Sequence, residues 1–160
     1  MYKFSKRSIE QLNTLHPDLK LVMEYAIKYS TIDFILVEGH RSKEKQFELF
    51  KKGRKFSNGS WEIVNSKKVV TNIDGINLYS KHNFNPSKAV DIAVYIKGRY
   101  DLLYDEMHLS NIAGTIIGLS RYLKSKELIK NEIIWGANWN NDGMILYDHL
   151  FIDLPHFEIS

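Results

Sequence analysis

The sequence predicts an α+β domain with a small, mainly antiparallel sheet packed against helices. Two observations carry this: helical spacing of apolar residues comes early, and the runs that read as strands are short and dispersed along the chain. A third sets the domain count. No repeat, low-complexity tract or linker-like stretch divides the 160 residues, so 1–160 is expected to be a single domain.

Ser5 or Ser8 can cap a short first helix that runs through Leu15 and is broken by His16-Pro17-Asp18. From Asp18 onward, Leu19, Val22, Met23, Ala26 and Ile27 mark the buried face of a second helix. Residues 33–37 are a compact apolar run, most simply a buried strand. Ser42 is placed to cap a helix carrying Gln46, Phe47, Leu49 and Phe50. Residues 51–60 are basic and contain glycine and serine, which predicts a mobile surface loop. From there to Tyr79 the signal is mixed: Ile63-Val64, Val69-Val70 and Ile76 fit short strands or an irregular excursion.

Residues 89–95 alternate as a strand, with Val90, Ile92 and Val94 on one side and Ala89, Asp91 and Ala93 on the other. Leu109, Ile112, Ala113, Ile116, Leu119 and Leu123 lie on one stripe of a long helix. Gly114 and Gly118 on that helix predict close packing against the sheet. Ile133-Ile134-Trp135 reads as a strand, residues 136–143 as a loop and residues 156–159 as a closing strand.

Composition is that of a soluble globular protein, 44% hydrophobic and 26% charged. With no cysteine, disulfides, thiolate metal sites and cysteine nucleophiles are excluded. No stretch approaches the roughly 18 apolar residues of a membrane span, and the basic N-terminal residues have no apolar run behind them. A net charge of +3 and a pI near 8.9 permit an anionic partner without choosing among nucleic acid, anionic lipid and cell wall.

The chemistry concentrates in two stretches, 80–92 and 153–160. Asp91 lies among Ala89, Val90, Ile92 and Ala93, where an unpaired charge is costly. In isolation it fits an aspartate at a sheet edge bonded to a loop. His82 alters that reading, because the intervening Asn-Phe-Asn-Pro-Ser is turn chemistry that can bring the imidazole back to the strand. His156 supplies a third group; with Glu158 it faces one way while Phe157 and Ile159 face the other. Catalytic zinc sites take three such ligands and keep a fourth position for water, so His82, Asp91 and His156 are read as ligands of Zn2+. Asp153, three residues before the last of them, is placed to serve as general base. The helical His-Glu-x-x-His arrangement is absent.

Five segments in order resemble zinc peptidases of the lysostaphin, D-Ala-D-Ala peptidase and hedgehog superfamily, and most of all phage endolysins that cleave the L-alanyl-D-glutamate bond of peptidoglycan. Thr14-Leu-His-Pro-Asp-Leu19 is similar to the opening helix motif. Val37-Glu-Gly-His-Arg41-Ser-Lys-Glu-Lys-Gln46 resembles the strand-to-helix Gly-x-Arg-Ser…Gln segment. Ser80-x-His82…Ala89-Val-Asp91 matches the first ligand pair, Trp135-Gly-Ala-Asn-Trp139 the Trp-Gly-x-x-Trp loop, and Asp153-x-x-His156-Phe-Glu the base and last ligand. The spacing departs once: eight residues separate His82 from Asp91, where the commoner pattern has six.

The resemblance implies a hedgehog/D-Ala-D-Ala peptidase-like fold and a role for Arg41 in holding the oxyanion formed at the scissile carbonyl. A fixed guanidinium suits that role, and an arginine at a positive helix start is expected to meet an anion. Gln46 and Ser80 are candidates for substrate binding or for support of the groups that do it. Trp135 and Trp139 fit either the cleft lining or the core, and His16, His40, His108 and His149 are left structural or at the surface. The implied protein is a monomeric zinc peptidoglycan hydrolase without a separate wall-binding domain. It is made in the bacterial cytoplasm without a signal peptide and acts on the cell wall after release, its basic surface supplying part of the attraction. Three other readings stay open: a D-Ala-D-Ala carboxypeptidase, a non-catalytic hedgehog-like zinc-binding module, and a nucleic-acid-binding domain, the last without motif support.

Overall fold

The computed structural model describes residues 1–143 and 152–160, and His149 lies outside them. Helix α1 (Lys6–Leu12) starts at Ser5, whose hydroxyl accepts from the Ser8 backbone N–H at 3.3 Å. It stops short of the expected Leu15. Thr14 turns its hydroxyl back onto the Gln11 carbonyl at 2.7 Å, and residues 14–16 exchange backbone bonds with Ser87 instead of continuing the helix. Helix α2 (Pro17–Tyr29) is capped by the His16 ring and buries Leu19, Val22, Met23, Ala26 and Ile27, as the periodicity requires.

Strand β1 (Phe34–Glu38) leads into helix α3 (Lys43–Lys51), capped by Ser42. The basic stretch that follows is not a loop. It forms a hairpin of β2 (Arg54–Ser57) and β3 (Ser60–Ile63), closed by Asn58 and Gly59 at φ of 51° and 82°. Those angles are the ones a two-residue hairpin turn needs, and Asn-Gly is the pair that adopts them at least cost. Trp61 holds the hairpin against Phe47 and Phe50 of α3, with Phe56 packed on the Trp61 ring. Among residues 64–79 the chain is irregular apart from one 3-10 turn at Ser66–Lys68.

Strand β4 (Ala89–Val94), helix α4 (Glu106–Ser125), β5 (Ile133–Trp135) and β6 (His156–Ile159) complete the fold. The main sheet is antiparallel in the order β1-β4-β6-β5. One face, with Phe34, Leu36, Val90, Ile92, Phe157 and Ile159, is buried in a core shared with α2 and α4. Gly114 and Gly118 contradict their expected role. They lie on the exposed side of α4, where an added Cβ would meet nothing within 4 Å. None of the described helices is long and apolar enough to cross a membrane.

The opposite face of the sheet positions the site. Register places Asp91 across from His156 on one side and Glu38 on the other, so the three form a row across β1, β4 and β6. Glu38 joins that row because the β1–β4 register shifts between Leu36 and Glu38, a bulge that turns its carboxylate to the site face.

Candidate active site

His82 comes to this row from outside the sheet, on a 3-10 turn (Lys81–Asn83). Ser80 and Asn83 cap the turn reciprocally. Its backbone is fastened to Arg41 by two bonds of 2.9 Å, from the Arg41 N–H to the His82 carbonyl and from the Asn83 side chain to the Arg41 carbonyl. The expected return of the 82–91 segment onto the strand is what occurs.

The three donor atoms form a near-equilateral triangle. His82 Nε2 lies 3.4 Å from His156 Nδ1 and 3.3 Å from Asp91 Oδ1, and the last two are 3.0 Å apart. Ligands bound at 2.0–2.1 Å to a tetrahedral zinc are about 3.3 Å from one another, so this set fits the metal without rearrangement. Among the described residues it is the cluster that could hold a metal ion. Both imidazoles are oriented from behind. His82 Nδ1 donates to the Gly39 carbonyl at 2.7 Å, and His156 Nε2 donates to Glu158 Oε2 at 3.1 Å, which leaves the inward nitrogens as lone pairs. Tight packing fixes the Gly39 carbonyl, since a Cβ there would lie 2.3 Å from the Thr14 hydroxyl.

Without a cation the cluster shares protons. Burial alone would raise the Asp91 carboxyl, but hydrogen bonds from His156 and His82 hold it well below the usual range. Burial opposes a charge on His156, yet the bonds to Asp91 and Glu158 push it up to about 9. Asp153 moves the other way: burial raises it, the Asp91 charge adds to this, and His156, His82 and Arg41 oppose. A carboxyl raised by burial beside a metal-type cluster is suited to taking up a proton.

Gly136 sets the position of Asp153. Their backbones bond at 2.9 Å, and a Cβ on Gly136 would fall 2.2 Å from the Asp153 carbonyl oxygen. Gly136→Ala is therefore expected to push Asp153 out of place, while His156, which bonds both residues through its backbone, stays held by its pairing with Asp91 in the sheet. The outcome is retained metal with turnover reduced roughly 10- to 100-fold, as small misplacements of reacting groups cost. Metal stoichiometry and rate measured on one preparation check it, and an unaltered rate would detach Gly136 from the chemistry.

Arg41 is 12% exposed and does meet anions, but they belong to the protein. Its Nε and Nη2 bond Glu38, Nη1 donates to Gln46 Oε1 at 2.9 Å, and Nη2 reaches Asp91 Oδ2 at 3.4 Å. Of its five N–H donors, one on Nη1 has no acceptor among the described residues. Lys45 also pairs with Glu38. Burial would raise the Glu38 carboxyl, but its bonds to Arg41 and Lys45 hold it lowered. Gln46 is fully buried, spent on Arg41 and on the Ile73 carbonyl at 2.8 Å, so it stands behind the site. Ser80 lines the groove and caps the His82 turn. The two tryptophans separate: Trp135 is buried, donating to the Leu154 carbonyl at 2.8 Å, and Trp139 lines the groove with its ring 5.5 Å from His156.

Residues 1–160 match the family described as phage L-alanyl-D-glutamate peptidase. The chain belongs to that family. It is a hydrolytic enzyme, a peptidase of phage type that acts on peptidoglycan. Among solved structures, the Serratia marcescens L-Ala D-Glu endopeptidase ChiX is similar at 24% identity, over 99% of this chain and 90% of that one, with a TM-score of 0.62, which shows a common fold. No curated protein matches the sequence.

Glu38, Glu158 and Gly136 were not singled out by their chemistry in the sequence. A signal existed for two of them: Glu158 shares its strand face with His156, and Gly136 lies within the Trp-Gly-x-x-Trp segment. Glu38 required the bulge.

Proposed function

We propose that the protein is a zinc-dependent endopeptidase cleaving the L-alanyl-D-glutamate bond of the peptidoglycan stem peptide, with residues 1–160 acting as one catalytic domain. The observation that carries this is the His82–Asp91–His156 triangle, with both imidazole tautomers set from outside and a raised carboxyl, Asp153, in the same groove.

His82 Nε2, Asp91 Oδ1 and His156 Nδ1 would hold the ion, and Gly39 and Glu158 keep the two rings turned toward it. Zinc, when bound, supplies Lewis-acid polarisation of the carbonyl and makes a water acidic near neutral pH. Asp153 takes up the proton of the attacking water on its carboxylate and passes it to the departing glutamate nitrogen. Arg41, braced by Glu38 and Gln46, directs its remaining N–H at the oxygen that gains charge, a donor that need not reorganise during the step. The enzyme acts as a monomer of endolysin type, made in the bacterial cytoplasm and reaching the wall after release.

Digestion of defined peptidoglycan, followed by fragment masses, tests the reading. New termini are expected at an alanine carboxyl and a glutamate amine, with cleavage abolished by a chelator and restored by added zinc. Release of terminal D-alanine instead would replace this reading with a carboxypeptidase, and cleavage indifferent to chelation would remove the metal from it.

A further inference from the structure

The groove that holds the ligand cluster extends well beyond it. Its volume is about 1030 Å³, several times that of one residue. Its lining is electrically divided. Glu38, Asp91, Asp153 and Glu158 stand at the metal end, and the rest of the lining is apolar or uncharged polar, with one exposed ammonium, Lys52. Arg41 and Lys81 also line the groove but are engaged, Arg41 as above and Lys81 with the Ile159 carbonyl at 3.1 Å. Among the described residues the Lys52 ammonium has no hydrogen-bond or ion-pair partner, its backbone N–H alone being used, on the Leu49 carbonyl.

Helix α3 measures the distance between the two ends. Arg41 stands just before its capping residue Ser42 and Lys52 follows its last residue, and the nine helical residues between at 1.5 Å each span about 14 Å. The far wall is stapled along the same helix. Gln46 bonds the Ile73 carbonyl near one end, and Arg54 donates to the Phe50 and Thr71 carbonyls at 2.6 and 2.9 Å near the other. Gly53 allows the wall to close, since a Cβ there would lie 2.4 Å from the Asn65 carbonyl oxygen. The distal end is thus held in shape by side chains that the chemistry does not use.

We propose that this end is a carboxylate subsite. The Lys52 ammonium pairs with a free carboxylate about three peptide units beyond the cleaved bond, and Leu49, Ile63, Val69 and Val70 receive the terminal alanine methyl and the methylene stem of the residue before it. The inference rests on the function proposed above. Charge complementarity gives the direction: on the alanine side the stem peptide joins a neutral sugar ether, and on the D-glutamate side it carries carboxylates. Length agrees as well. Three extended residues reach roughly 10 Å, and linkage through the glutamate side chain adds two further bonds, close to one length of α3.

Direct binding tests it without relying on turnover. The probes are L-Ala-γ-D-Glu-L-Lys-D-Ala as the free acid and as the C-terminal carboxamide, titrated calorimetrically into zinc-loaded Asp153→Asn. The acid is expected to bind roughly fivefold more tightly than the amide, as one partly exposed ion pair allows. Adding Lys52→Ala should bring the ratio close to one, Lys52→Arg should keep most of it, and Lys55→Ala on the hairpin outside the groove should leave it intact. Equal affinities for acid and amide, a ratio that survives Lys52→Ala, or no binding of either peptide would overturn the subsite. Wild-type cleavage of whole peptidoglycan at a different bond would instead sink the proposed function, so the two failures are separable.

Discussion

Asp153→Asn is expected to fold normally, hold close to one zinc per chain and lose roughly 100- to 10,000-fold in turnover. The amide has nearly the shape of the carboxyl. The bonds that fix this residue's place, from its N–H to Gly136 and from the His156 N–H to its carbonyl, are all main-chain. The entry to β6 should therefore not move, and the triangle of His82, Asp91 and His156 should persist. What the amide lacks is a site for the proton. Burial and the Asp91 charge raise the native carboxyl, which increases its affinity for a proton taken from water. Zinc stoichiometry and peptidoglycan hydrolysis measured on the same preparation decide the matter. Full zinc with lost turnover identifies the base. Loss of zinc would place Asp153 among the ligands, and near-normal turnover would confine it to the fold.

The meeting of His82, Asp91 and His156 was legible in the sequence because each lies in a segment whose local structure is forced. Asp91 and His156 occupy strands whose large apolar residues, Val90, Ile92 and Phe157, all lie on one face, so the face each presents follows from those neighbours. His82 was legible because turn residues fill the interval to Asp91. Glu38 was not, since its entry into the row depends on a register shift that no pattern in residues 33–38 announces. Gln46 stayed ambiguous, and the protein carboxylates that engage Arg41 went unseen, for a related reason. Whether a guanidinium points at substrate or at a protein carboxylate depends on χ angles, and here it does mostly the latter.

The fold was read best where burial is one-sided. Helices α2 and α4 and strands β4 and β6 each carry a full apolar stripe. The hairpin β2–β3 escaped because its strands bury neither face completely, and its aromatics face α3 instead of a core. Asn58-Gly59 was the available signal, outweighed by the basic residues around it. Gly114 and Gly118 misled in the opposite direction: spacing by four places two residues on one side of a helix without saying which side.

His82→Ala is expected to lose metal and activity together, and to lose the stability that the metal lends. The imidazole is among the fully buried side chains and offers one of the three donor atoms that could hold the ion. Without it, two donors remain and the Gly39 carbonyl has nothing to orient. A metal that binds only the folded chain contributes about 2.7 kcal/mol at a hundred times its Kd. For a chain of this size that corresponds to a rise in Tm of roughly 5–10 °C. Chelation should accordingly lower the Tm of the wild type and leave that of His82→Ala unchanged. The comparison separates a ligand from a residue that merely packs, because truncating a packing residue lowers Tm but keeps the response to chelator. A variant retaining one zinc per chain and the full chelator shift would remove His82 from the ligand set and leave Asp91 and His156 in need of a different third donor.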